Sequence, residues 1–303
     1  MSPGTFNLVI DNQTEKYSNN EVYIYVIGHN PNSNNVFAWL NASGTLTDAP
    51  PSSSPANLPL NASGTTTFTV PYITSGRIWI SLGAALIMPF NSDNPPGQIQ
   101  PSVSNPSDPN INALWDFAEF NFDSTSLFVN TSQVDAFAIP IQLTLDGTVA
   151  STPVSVVGVD GAGWTAVQKA VLANPTFSPL VINNANGDFV RVLQPNDGIT
   201  YGVFDASYLD VYIDSCWTFY QTNEMIMDLT AAGFGKVVGT VDFNSNFNFL
   251  TQDTNSLLKI VATIPKPTTQ QAFACNGPLA TGNDEQQAIQ NVIAAGLNRG
   301  VLE

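Results

Sequence analysis

The run LWDFAEFNFDSTSLFVNTSQVDAFAIPI, residues 114–141, sets the fold class and raises the question of function. In its first half a period of two places Trp115, Phe117, Glu119, Asn121 and Asp123 on one side of a strand and Phe120 and Phe122 on the other. In its last third the same period groups Thr131, Gln133, Asp135 and Phe137, opposite Val134, Ala136 and Ala138. Symmetrical antiparallel pairing about Leu127 would set Asp135 across from Glu119, so that both acids look into one groove.

Outward from this run the first half of the chain keeps the same grammar. FNLVI, EVYIYVIGH, VFAWL, TTFTV, RIWISLG, LWDFAEFNF and VDAFAIPIQLTL are short apolar runs separated by turn residues, as expected of an all-β sandwich or barrel. DAPPSSSPANLP and NSDNPPGQIQPSVSNPSDPN are too rich in Pro, Ser and Asn for regular structure and predict long surface loops, which often line binding sites. Near residue 148 the pattern changes. GWTAVQKAVLANP has helical spacing and stops at Asn174-Pro175. SPLVINN, DFVRVLQP, LDVYIDSCWTFY, KVVGTVDF and LLKIVATIP predict strands or short buried elements, and NDEQQAIQNVIAAGLNRGVLE predicts a helix capped by Asn283 with acids in its first turn. The expected organisation is a β-barrel/sandwich domain over 1–147 and a mixed α/β domain over 148–303.

With 24 acidic against 8 basic residues, a net charge of -16, the surface repels phosphate backbones and anionic lipid, so neither nucleic acid nor a membrane is an expected partner. A neutral, hydroxyl-rich polysaccharide is not repelled. There is no run of about 20 apolar residues to span a bilayer, and the N-terminus MSPGTFNLVIDNQT lacks a basic region followed by an apolar one. Sparse Lys, abundant Ser, Thr and Asn, and sequons at Asn12, Asn41, Asn61 and Asn130 point to an extracellular protein. A glycan on Asn130 would crowd Asp135, and this sequon is expected to be unmodified. Cys216 and Cys275 form either one disulfide or two thiols.

Two facing acids in an apolar setting repel, and at least one should hold its proton more tightly. Cleavage of a glycosidic bond uses such a pair, one carboxyl to protonate the leaving oxygen and one carboxylate to activate water or attack carbon. Neighbouring Asn, Asp, Ser and Gln side chains can read sugar hydroxyls. Adjacent strands allow separations of roughly 5 to 9 Å, which covers both retaining and inverting geometry. The plain alternative is that both acids are solvated residues of a half-exposed sheet.

The run PSVSNPSDPNINALWDFAEFNFDSTSLFVNTSQVDAFAIPI resembles the central motif of glycoside hydrolase family 64, β-1,3-glucanases whose fold is distantly related to thaumatin-like proteins. The likeness is carried by RIWISLG (77–83), QPSVSNPSDPN (100–110), WDFAEF (115–120), LFVN (127–130) and VDAFAIPI (134–141), with weaker echoes in WTFY near 217, FACNGPLATG (273–282) and AAGLNRGVL (294–302). The resemblance implies an inverting endo-acting hydrolase of (1→3)-β-glucan, with Glu119 as general acid and Asp135 as general base. It also implies a thaumatin-like β domain beside a smaller mixed α/β domain, forming a wide groove, and sugar-binding positions at Asn121, Asp123 and Ser132. Gln133 is added from alternation alone.

Three departures stand out. The chain ends at Leu302-Glu303 where the family usually continues into a further strand, so a truncated or a shortened relative is expected. Ile293 replaces a cysteine common in relatives, which leaves Cys275 with Cys216 as its remaining candidate partner. In VDAF the residue after the Asp is smaller than the aromatic usual there.

His29, the one histidine, cannot supply a catalytic triad or a multi-histidine metal site, and GHNPN predicts a turn. VGVDGAGW lacks the residues that cradle phosphate. DFNSNFNF suits either sugar stacking or an exposed strand or turn, and Trp39, Trp79 and Trp115 either groove walls or core. The leading expectation is a secreted, monomeric endo-β-1,3-glucanase that needs no metal or cofactor. A non-catalytic glucan-binding thaumatin-like protein is the second, and a structural wall protein, which leaves the paired acids unexplained, the third.

Overall fold

The computed structural model describes residues 4–131, 133–146, 154–156, 158–251 and 259–302. These fall into two compact units that meet in sequence at Tyr201–Gly202. The expected boundary at 147/148 lies outside the described residues. The first unit runs past it because strand pairing carries later chain back onto earlier chain.

In the first unit, β1 (Thr5–Ile10), β2 (Val22–Asn30), β3 (Val36–Leu40), β4 (Leu46–Asp48), β5 (Thr66–Pro71), β6 (Ile73–Leu82), β7 (Leu114–Phe122) and β8 (Leu127–Asn130) follow one another. Six of them form an antiparallel sheet in the order β4-β3-β2-β6-β7-β8, and β1 pairs with β5. Val22, Ile24 and Val26 of β2, Ile78 and Leu82 of β6, and Ala118 and Phe120 of β7 share one core with Phe68 and Val70 of β5. Burial of this apolar face is the main stabilising term of the unit. The opposite face of the sheet is also covered in places: Trp79 packs on Trp115 and Phe117, and Trp39 stacks on Phe90, so all three tryptophans take the core role.

The sheet bends where small residues allow it. Register shifts fall between Ile27 and His29 and between Ile73 and Gly76. A Cβ on Gly28 would sit 2.4 Å from Ile73 Cγ2 and one on Gly76 2.5 Å from the Phe120 ring, so strand approach at this point requires glycine.

VDAFAIPIQLTL is not one strand. Pro140 divides it into β9 (Ala136–Phe137) and β10 (Leu143–Leu145), and β10 pairs with β11 (Val154–Val156). Helix α1 (Gly161–Ala173) starts on the Asp160 cap and ends at Asn174, as its spacing predicts. Then β12 (Val181–Asn183) and β13 (Phe189–Leu193) complete a small sheet in the order β12-β13-β9, followed by α2 (Pro195–Tyr201). The pairs Phe137↔Val192 and Ala136↔Leu193 tie residues 181–201 into the first unit.

The second unit holds α3 (Asp210–Phe219), the antiparallel meander β14 (Met225–Asp228), β15 (Lys236–Val241), β16 (Asn246–Thr251) and β17 (Ile260–Pro265), then α4 (Thr269–Ala274) and α5 (Asp284–Arg299). LDVYIDSCWTFY, expected as a strand or short buried element, is the helix α3. Its buried Ile213, Cys216 and Trp217 recur at helical spacing despite the β-branched and aromatic content. In DFNSNFNF a turn held by Asp242 leads into β16, with Phe247 and Phe249 buried and Phe243 exposed. Asn283 caps α5 through a capping box with Gln286, and Asp284 and Glu285 occupy its first turn. Cys216 is buried and Cys275 exposed, and both are thiols. Ile293 fills the core of this unit.

Candidate active site

The first unit carries a cleft of about 430 Å³ on the side of the sheet where β2, β6, β7 and β8 are neighbours. Period two directs the odd-numbered residues of β7 to this side beyond Phe117, and Glu119 and Asn121 line it. The facing strand contributes Phe128 and Asn130. Arg77 enters from β6, and Gln98 and Gln100 come from the long loop between β6 and β7, in line with the expectation that such loops border sites.

Glu119 is held by Arg77, whose Nε and Nη2 both donate to Oε1, at 3.3 and 3.0 Å. Arg77 Nη1 also donates to Gln100 Oε1, and its guanidinium lies over the Phe117 ring at 4.4 Å and near Trp79 at 5.5 Å. The buried aromatic cluster is therefore the platform that aims the arginine. With side chains 28% and 39% exposed, this ion pair adds little to stability, ~1 kcal/mol at most. Its consequence is positional: one carboxylate oxygen is fixed and Oε2 is left as the oxygen able to face a ligand.

Asp135 does not sit on the strand next to Glu119. The turn after β7 closes at Asp123–Ser126, and the register pairs Glu119 with Asn130, not with Asp135. The correction has a local cause. Asp123 accepts from the backbone N–H groups of Thr125 and Ser126 and from the Thr125 hydroxyl, which closes a tight turn over 123–126, so that Leu127 already pairs with Phe122 instead of sitting at the turn's centre. Asp135 lies instead on the irregular segment between β8 and β9, where its carbonyl accepts from Gln194 N at 3.0 Å.

The two acids still meet electrostatically. The Asp135 carboxyl is raised above the ordinary aspartate value, first by desolvation, then by Asp197; Arg77 opposes the rise and Glu119 adds to it. Asp197, at the start of α2, is itself fixed by the Ser104 hydroxyl and the Gln194 amide.

The other expected sugar contacts divide. Asn121 lines the cleft, accepting from Ser75 N and donating to Asp123. Asp123 is taken up by its turn. Ser132 lies outside the described residues. Gln133 turns inward, with a left-handed φ of 51°, donating to Ile139 O at 3.0 Å and hydrogen-bonding Asp116, so alternation misplaced it. His29, expected in a turn, is in β2 and packs on Phe37 in the cleft wall with ring centroids 4.2 Å apart, where burial lowers its pKa. Arg77 and His29 escaped sequence reasoning. An arginine within the apolar run RIWISL was the available signal for the first.

Among the described residues Asp116 is the one fully buried acid. Its Oδ1 accepts from Phe117 N, and its Oδ2 from Ala138 N and Ile139 N. Burial raises it to about 6. A carboxyl raised from 3.8 favours folding most when protonated, so its contribution is greatest below about pH 4 and fades as pH rises through 6, by about 3 kcal/mol. Thermal melts of the native chain and Asp116→Asn from pH 4 to 7 should show the native chain losing stability relative to the variant over that window. Parallel curves would contradict the assignment.

The family model described as beta-1,3-glucanase, glycoside hydrolase family 64, matches residues 4–303. The chain belongs to glycoside hydrolase family 64. Glucan endo-1,3-beta-glucosidases of Arthrobacter sp. (strain YCWD3) and Cellulosimicrobium cellulans are each 28% identical over 294 residues, 93% of this chain, which spans 50% of their length. The crystal structure of a laminaripentaose-producing beta-1,3-glucanase in complex with laminaritetraose covers 99% of the chain with a TM-score of 0.88 at 26% identity, the chain covering 81% of it. A beta-1,3-glucanase domain from Clostridium beijerinckii shares the fold, with a TM-score of 0.77 at 23% identity over 99% of this chain and 83% of that one. The mainly β, antiparallel architecture is thus that of family 64.

Proposed function

We propose that this family 64 chain is a secreted, monomeric endo-β-1,3-glucanase acting on (1→3)-β-glucan by single displacement with inversion. The observation that carries the reading is the Arg77–Glu119 pair on the cleft wall with Asp135 within electrostatic reach of both. Glu119, through Oε2, protonates the leaving glycosidic oxygen, and Arg77 stabilises the carboxylate left behind. Asp135 takes the proton of the water that attacks the opposite face of the sugar. Asn121 and Asn130 offer amides to sugar hydroxyls, and the exposed ring of Phe128 and the tilted His29–Phe37 pair offer apolar faces. Asp123 shapes this strand end, and Ser132 remains a proposed sugar contact by resemblance. The β1–β5 ribbon packed on the six-stranded sheet supports a thaumatin-like reading of the first unit. Its acidic, Lys-poor composition supports an extracellular location.

Incubation with laminarin and curdlan, with reducing ends assayed and the first-formed anomer read by NMR, tests the proposal. An α-anomer appearing first supports it. A β-anomer sinks the inversion, and binding without sugar release favours the glucan-binding alternative.

A further inference from the structure

A general base that activates water must be placed to within a fraction of an ångström, yet Asp135 sits on irregular chain. Asp135 is exposed as a residue and its carboxyl is only partly desolvated, so its place depends on how the backbone around it is held. Downstream, β9 gives only two residues of pairing to β13, and upstream Gln133 adopts a left-handed conformation that a non-glycine residue does not take unaided. The segment is gathered from beneath. Asp116 Oδ2 accepts from Ala138 N at 3.1 Å and Ile139 N at 3.2 Å, the Gln133 amide bonds the same carboxylate, and that amide also donates to Ile139 O. Trp164 Nε1 closes the remaining side by donating to Ala138 O at 3.0 Å. Asp116 belongs to β7, three residues before Glu119, so one strand carries one acid into the cleft and, from its other face, grips the loop that carries the second.

We propose that Asp116 is a positioning residue of the hydrolytic site, its buried carboxylate locking residues 133–139 so that Asp135 is held in register with Glu119. This rests on the glucanase reading above. It also gives Gln133 a role in place of the sugar contact expected from alternation, as the second strut of the same lock. The buried Arg191 of β13, bonded to the carbonyls of Val103 and Ala113 and lying over the Trp115 ring at 5.3 Å, feels the charge of Asp108 first and then that of Asp116. An ionised Asp116 therefore has a cation in its surroundings, and its carboxylate form can serve as the four-way acceptor.

The discriminating experiment measures kcat and KM on laminarin, with melting temperature, for the native chain, Asp116→Asn, Gln133→Leu and a control, Ser81→Ala. In Asp116→Asn one end of the group becomes a donor facing backbone N–H groups, so the loop must shift. The expected result is a kcat loss of about 10–100-fold with KM within about twofold, since the cleft wall is intact. Gln133→Leu should lose kcat about tenfold in the same pattern. Ser81 is equally buried in β6 and bonded to Ala84 O, and its removal should lower the melting temperature without changing kcat. If both variants keep the native kcat, or if their losses are no larger than that of Ser81→Ala at equal loss of melting temperature, the positioning role is wrong. Should Asp116→Asn fail to fold, Gln133→Leu decides alone by the same criterion. A native chain that releases no sugar overturns the glucanase reading, and the inference with it, a result distinct from an active native chain with unaffected variants.

Discussion

Glu119→Gln abolishes the release of reducing ends, lowering kcat on laminarin by about 10²–10⁴-fold, while glucan binding stays within a few-fold of native. The amide keeps the shape and can still accept from Arg77 through its oxygen, so the cleft wall formed with Asn121 and Asn130 persists. What it lacks is a proton to give. The leaving sugar then departs as an alkoxide, and the loss should shrink on an aryl glucoside whose leaving group needs no protonation. Single-turnover rates on both substrate types, with affinity measured by retention on curdlan, check this. A variant that retains activity on laminarin, or loses equally on the aryl substrate, removes Glu119 from the acid role.

Asp135→Asn lowers kcat by a similar factor on every substrate, because the nucleophile is compromised whatever the leaving group. Here a small anion can replace activated water. Added azide attacks the anomeric carbon with its own electron pair and needs no base, so activity should return as a glucosyl azide of α configuration. The absence of rescue, or a β azide, would point to a covalent mechanism or to a different base. The Asp197 carboxylate is the obvious alternative, since it adds to the proton affinity of Asp135 and lies at the start of α2. Asp197→Asn should therefore leave turnover in place while lowering the pKa on the acidic limb of the rate profile, because its removal takes away a like charge.

Much of the first unit was legible. The strands over 5–10, 22–30, 36–40, 66–71 and 114–122 coincide with the apolar runs read from the sequence, because each has one face against a core and alternation records that. Helix α1 announced itself by its apolar spacing and its stop at Asn174-Pro175, and α5 by its cap at Asn283. Where the reading failed, two local signals were in conflict. In α3 the β-branched and aromatic residues hid a helical spacing of Ile213, Cys216 and Trp217. In the 123–130 stretch, Asp-Ser-Thr-Ser is a turn signal, and it was outweighed by the symmetry of the two acids about Leu127.

The sequence by itself determined which residues of β7 share a face, that Glu119 stands among apolar neighbours on the open side, and that Asn121 lies beside it. Those follow from a strand's period of two, a property of each residue and its immediate neighbours. Only the tertiary structure decided that Arg77 holds Glu119, that His29 and Phe37 share its wall, and that Asp135 comes from a loop gripped by Asp116 instead of from the next strand. These are contacts between residues far apart in the chain. Their choice depends on sheet order, on bulges and on where a turn closes, and a one-residue change in any of them turns a side chain to the other face.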